Sequence, residues 1–165
     1  QSYVTYDAFD VPGAFGNMLL GDGYWFNYPD PGVVRYEGVD NGVPDLMGLK
    51  TDMWISLPGA QGGEGDTGGW HLIGCPFNEP ISSDPNFNLN GEGLLFTDGS
   101  SVKIWDEAVT AGWVDTGMLF WDATQASYSD MGYFFNTDDS LRPGKAYWIA
   151  TYKDNLAMIV PALNP

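Results

Sequence analysis

Positive charge is scarce in this 165-residue chain: Lys and Arg number 6 against 22 Asp and Glu, a formal net charge of -16 at pH 7. Coulomb repulsion at that charge argues against nucleic acid and anionic lipid head groups as partners. Histidine occurs once, at His71, so one chain holds no two-imidazole metal site and no paired-histidine mechanism. Cysteine also occurs once, at Cys75, which excludes an intrachain disulfide; between Gly74 and Pro76 it reads as a small buried side chain. No apolar run approaches the roughly 18 residues of a membrane helix, so no membrane insertion is expected. A basic-apolar leader is missing too, and a chain opening at Gln1 is expected to be a secreted one already processed. Even the acidic residues are lopsided, with 17 Asp and 5 Glu. Asp suits turns where Glu suits helices, which points away from a helical protein.

What is abundant completes that picture. There are 22 Gly and 11 Pro, the punctuation of many short turns, and 25 aromatic residues including seven Trp. The most continuous strand pattern is Gly69-Trp70-His71-Leu72-Ile73-Gly74-Cys75-Pro76-Phe77, between a glycine-rich lead-in and a proline stop, and it reads as a central buried strand. Further strand patterns occupy 3–9, 23–28, 33–37, 53–57, 94–96, 102–105, 117–121, 133–135, 146–152 and 156–160. Asp106 to Ala111 is the one helical turn, with its acidic residues at the positive end of the helix dipole. The expected fold is all-β, an antiparallel sandwich or barrel of about eleven strands in one domain over 1–165.

Two internal echoes divide that domain. Leu20-Gly21-Asp22-Gly23-Tyr24-Trp25-Phe26 parallels Leu141 with Gly144-Lys145-Ala146-Tyr147-Trp148-Ile149, and Met53-Trp54-Ile55-Ser56-Leu57-Pro58 parallels Met158-Ile159-Val160-Pro161. They suggest two related units, 1–68 shortened at its start and 69–165 complete. Gly69 to Phe77, then Glu107-Ala108 with Gly112-Trp113, then Leu141-Arg142-Pro143-Gly144-Lys145-Ala146-Tyr147-Trp148-Ile149 together resemble the "GW-x-LIG-x-PF … L-x-PG-x-x-YW" repeats of secreted and cell-surface bacterial proteins. The resemblance spans roughly 20–161; His71 stands where Asn is common. It implies a β fold and an extracellular or cell-surface setting, and it implies no activity.

Catalytic groups are thin. His71 lacks a serine on a Gly-x-Ser-x-Gly turn and reads as an outer-face strand residue, so no enzyme is expected. Asp84, Asn86, Asn88 and Asn90 alternate oxygen-bearing side chains before Gly91, as a calcium loop does, although no distal bidentate Glu follows. An Asx-rich turn without metal explains the same residues. Of the aromatics, Trp25, Trp54, Trp70 and Trp148 at strand centres are expected in the core. Trp105, Trp113, Trp121, Tyr128 and Tyr133 lie near turns and are the expected ligand-binding face. The first functional expectation is a structural subunit that assembles with copies of itself into a filament or surface layer. In it Tyr3, Val4, Thr5, Tyr6 and Phe9 form a strand donated to an incomplete sheet edge. Polysaccharide binding by a non-catalytic module comes second, and a glycoside hydrolase third.

Overall fold

The structure, a computed structural model, describes residues 21, 23, 50–59, 69–84, 93–132 and 139–163. Among them ten strands and one short helix follow one another: β1 (Met53–Leu57), β2 (Trp70–Gly74), β3 (Ile81–Ser82), β4 (Leu95–Thr97), β5 (Val102–Ile104), α1 (Trp105–Thr110), β6 (Val114–Asp122), β7 (Ser127–Met131), β8 (Ser140–Leu141), β9 (Ala146–Thr151) and β10 (Leu156–Val160). They form two four-stranded sheets, β1-β10-β4-β5 and β2-β9-β6-β7, and a ribbon β3-β8, antiparallel throughout. The chain is all-β, and of sandwich and barrel the sandwich is the form that these sheets take.

Alternation on β1 and unbroken buried runs at the ends of β9 and β10 build the core. On β1, Ile55 and Leu57 point inward while Trp54 and Ser56 point out, and the register carries the inner row across Met158 and Leu156 of β10 to Phe96 of β4. The other sheet contributes Ile73, Tyr147, Ile149, Met118, Phe120 and Met131 to the same apolar cluster. At about 25 cal/mol per Å² of apolar surface, each such side chain contributes roughly 1.5–3 kcal/mol before conformational entropy is subtracted. The echoing segments around Met53 and Met158 are hydrogen-bonded neighbours, with Ile55 opposite Met158.

The strand expected at the centre lies elsewhere. β9 is central, between β2 and β6, and in β2 only Ile73 is fully buried. On the far side of β2 stand Gly21 and Gly23: Gly23 N–H donates to Leu72 O at 2.9 Å and Gly74 N–H to Gly21 O at 2.7 Å, the antiparallel bonding pattern on either side of Ile73. Gly23 is required for this approach, because a Cβ there would sit 2.6 Å from Leu72 Cγ and 2.9 Å from Ala146 Cβ. β7 escaped the sequence reading because Ser127-Tyr128-Ser129-Asp130-Met131 carries little strand signal; its pairing with β6 creates it.

The Leu141-to-Tyr147 motif has a local physical account. Leu141 is fully buried, and Gly144 holds φ +76°, a left-handed value that glycine adopts without a Cβ clash. The hydroxyl of buried Tyr147 reaches back over this turn, donating to Ser140 O at 3.1 Å and accepting from Arg142 N–H at 3.0 Å. One side chain therefore satisfies two backbone groups and fixes the entry into the central strand.

Candidate functional site

The aromatic residues expected at a binding face divide sharply. Trp105 and Trp113 are 1% and 6% exposed, so their expected place on a binding face is corrected. The cause is the end of α1. Ala111 is its C-cap, Gly112 follows at φ +69°, Gly112 N–H donates to Val109 O at 2.9 Å and Trp113 N–H to Ala108 O at 2.8 Å. This is a Schellman closure, in which the residue after the left-handed glycine folds back as an apolar contact onto the helix. Trp113 occupies that position, with Lys153 Nζ at 4.5 Å and Lys103 Nζ at 5.2 Å from its ring centroid. Trp105 opens the helix, donates its indole N–H to Asp115 O at 2.8 Å and meets Phe96 edge to face at 5.9 Å. Both rings belong to the core.

Trp121 and Tyr128 are 43% and 49% exposed. Inward Met118 and Phe120 on β6 force Trp121 to the outer face, and the register sets it directly opposite Tyr128 on β7. The connecting turn holds that register. Asp122 accepts from Thr124 N–H at 2.8 Å, Thr124 Oγ1 at 2.6 Å and Gln125 Nε2 at 3.1 Å, and these bonds, the Thr124 hydroxyl first, keep its carboxyl below the usual carboxylate range. Ala126 closes the turn at φ +48°. The two rings stand 5.3 Å apart at 81°, so one offers a face and the other forms a wall beside it. Asp130 lies on the same face, two residues beyond Tyr128. Tyr133 falls outside the described residues.

Other sequence-predicted groups find structural roles. His71 shares the inner face of Ile73, contrary to the expected outer face, because its partner in β9 is buried Ile149. Its Nε2 lies 3.1 Å from both Gly59 O and Thr151 Oγ1; the Thr151 hydroxyl also donates to Gly59 O, and Thr151 N–H donates to Gly69 O at 2.7 Å. These bonds clasp Gly59 to Gly69, the two ends of the glycine-rich stretch. Cys75 is half-buried, directs its Sγ–H to Phe77 O at 3.4 Å, and burial pushes its thiol up to about 11, so the reactive thiolate is scarce at neutral pH. Asp84 is half-buried and donates its N–H to Ser82 Oγ at 3.1 Å, an ST turn in which serine, not the Asp84 carboxylate, is the acceptor; Asn86, Asn88 and Asn90 lie outside the described residues, as do Tyr3, Val4, Thr5, Tyr6 and Phe9. Among the described residues no group of three or more His, Cys, Asp or Glu is arranged to hold a metal ion, and no helix is long and apolar enough to cross a membrane.

Sequence reasoning also misplaced Trp54. Expected in the core, it is 58% exposed on the outer face of β1, whereas Trp70 and Trp148 are half-buried. The signal was present in the alternation: Trp54 and polar Ser56 share one parity, and Ile55 and Leu57 share the other. Comparison with family models, curated proteins and solved structures gives no match. The functional reading therefore rests on chemistry alone. Exposed perpendicular rings beside carboxylates suit stacking against the C–H face of a sugar ring while its hydroxyls donate outward.

Proposed function

We propose that the chain is a non-catalytic extracellular module that binds neutral polysaccharide, with Trp121 and Tyr128 as the stacking surface. The observation that carries this reading is their joint exposure on a rigid strand pair, where the sheet fixes both backbones and little order is lost on binding. A net charge of -16 favours neutral over anionic glycans. Affinity electrophoresis through gels containing cellulose-, mannan- or xylan-type polysaccharide tests it. Retardation by at least one of them is expected, with loss in Trp121→Ala/Tyr128→Ala at an unchanged melting temperature. Equal retardation of parent and double variant removes the reading.

Self-assembly is the second reading, favoured by the backbone bonds of Gly21 and Gly23 to the edge of β2. A segment preceding β1 that completes a sheet edge within one chain can do so between two chains by exchange. Under this reading, deletion of residues 1–9 leaves a folded monomer that no longer polymerises, as size-exclusion chromatography and negative-stain microscopy report. Polymerisation retained after the deletion rejects the donor role.

A further inference from the structure

The outer face of β1 and β10 carries a groove that the sequence reading did not assign. It has a volume of about 280 Å³ and is lined by Trp54, Ser56, Thr97, Asp98, Asn155 and Ala157, with Pro58, Gly99 and Leu156 completing it. That volume falls just below the roughly 300 Å³ at which ligand sites usually begin. Its walls are rigid. Asp98 accepts from Ser100 N–H at 3.0 Å, Ser101 N–H at 2.9 Å and Lys153 Nζ at 2.6 Å, and Thr97 Oγ1 donates to Ser101 O at 2.8 Å while accepting from Gly99 N–H at 3.0 Å. Asn155 is held at φ +57° with its N–H on Pro58 O at 3.2 Å, a left-handed conformation that Asn tolerates better than most residues.

Against these fixed groups stand three that the described residues do not engage: the Trp54 indole N–H, the Ser56 hydroxyl and the Asn155 carboxamide. An exposed flat ring beside a hydroxyl and an amide that both donate and accept is chemistry matched to a hydroxylated ring. The lining holds no cation, and its one carboxylate already has Lys153 as counter-ion, so neither an acidic sugar nor a cationic ligand finds a free opposite charge. We infer that this groove is a second site for a neutral saccharide, in which Trp54 stacks on the ring and Ser56 and Asn155 hydrogen-bond its hydroxyls. The inference rests on the polysaccharide reading proposed above. Trp54 faces outward from one sheet and Trp121 and Tyr128 from the other, and face-packed sheets lie ~10 Å apart before their outer side chains are added. The two sites therefore open on opposite sides of the sandwich, and one module bridges two glycan strands.

Isothermal titration of the full chain with cellohexaose, mannohexaose and xylohexaose, paired with turbidity of the matching polysaccharides, tests this. Two sites per chain are expected for at least one probe. Trp54→Ala, and independently Asn155→Gly, should weaken one of them at least tenfold and abolish turbidity, leaving the site at Trp121 and Tyr128 unchanged. Trp54 and Asn155 are both at the surface, and glycine accepts the left-handed backbone at 155, so melting temperatures within ~2 °C of the parent establish that the fold is retained. If Trp121→Ala/Tyr128→Ala removes all binding while Trp54→Ala changes nothing, the groove is not a site and the first reading stands. If Trp54→Ala removes all binding and the double variant changes nothing, the groove stands and the first site falls. No binding of any probe overturns both.

Discussion

Replacing Tyr147 by Phe isolates the contribution of one hydroxyl to the turn between β8 and β9. The ring is fully buried and meets Phe120 edge to face at 5.8 Å, and both features survive in Phe. Two backbone partners are left behind, Ser140 O and Arg142 N–H, in part-buried surroundings. An unsatisfied buried group costs about 1–3 kcal/mol, and relaxation toward solvent recovers part of it, so the net loss is about 2 kcal/mol. For a chain of this length each kcal/mol moves the melting temperature by about 2–4 °C, which gives a fall of about 4–8 °C. Urea titration followed by tryptophan fluorescence reads the same loss as a lower midpoint at unchanged slope. Tyr152→Phe is the control, because Tyr152 is 44% exposed and its hydroxyl meets Asp115 at 3.0 Å in open solvent. That change should stay within about 0.5 kcal/mol. A loss below about 0.5 kcal/mol for Tyr147→Phe, or equal losses in the two variants, refutes the role given to the hydroxyl.

Two glycines should separate strain from crowding. Gly144→Ala meets nothing within 4 Å and should cost only the left-handed penalty of about 1–2 kcal/mol, whereas Gly23→Ala must displace Leu72 and Ala146 and should cost about 1–3 kcal/mol while also weakening hydrogen-exchange protection at Gly74. Asp98 supplies a pH signature, since the hydrogen bond from Lys153 and the turn N–H groups hold its carboxyl well below the usual carboxylate range. Its stabilisation is complete above the unfolded value of about 3.9 and is lost as pH falls below it, so the melting-temperature gap between the parent and Asp98→Asn should be constant from pH 8 to pH 5 and shrink below about pH 4. If the Asp84-to-Asn90 segment holds calcium, chelation should lower the melting temperature, magnesium should not substitute, and Asp84→Ala/Asn88→Ala should abolish the difference; an equal response in both chains makes the segment an Asx turn alone.

The β class was legible because it rests on composition and period, which act locally. Glycine, proline and Asp mark turns, and runs such as Met53 to Leu57 and Leu156 to Val160 carry strand residues whatever their neighbours. Facing and order were less legible, because they depend on partners distant in sequence. Trp113 lies beside a turn, yet the Schellman closure after Gly112 turns it inward; Trp54 lies at a strand centre, yet its parity turns it out. β7 exists through its pairing with β6, and the clasp of His71, Thr151, Gly59 and Gly69 joins residues up to 92 positions apart. Of the proposed binding face, Trp121 and Tyr128 were readable as near-turn aromatics. The groove at Trp54 was not, since Asn155 and Asp98 reach it only through the pairing of β10 with β1 and β4.

The most direct test is a titration of the uniformly ¹⁵N-labelled chain with the hexasaccharide that binds best, following the indole N–H resonances of its seven tryptophans. Saccharide binding at the exposed rings predicts progressive shifts for Trp121 and Trp54, while Trp105, buried and bonded to Asp115 O, and Trp113, closed under the two lysines, stay in place. Shifts confined to Trp105 and Trp113, or no shift at either Trp121 or Trp54 at saturating ligand, contradict the account.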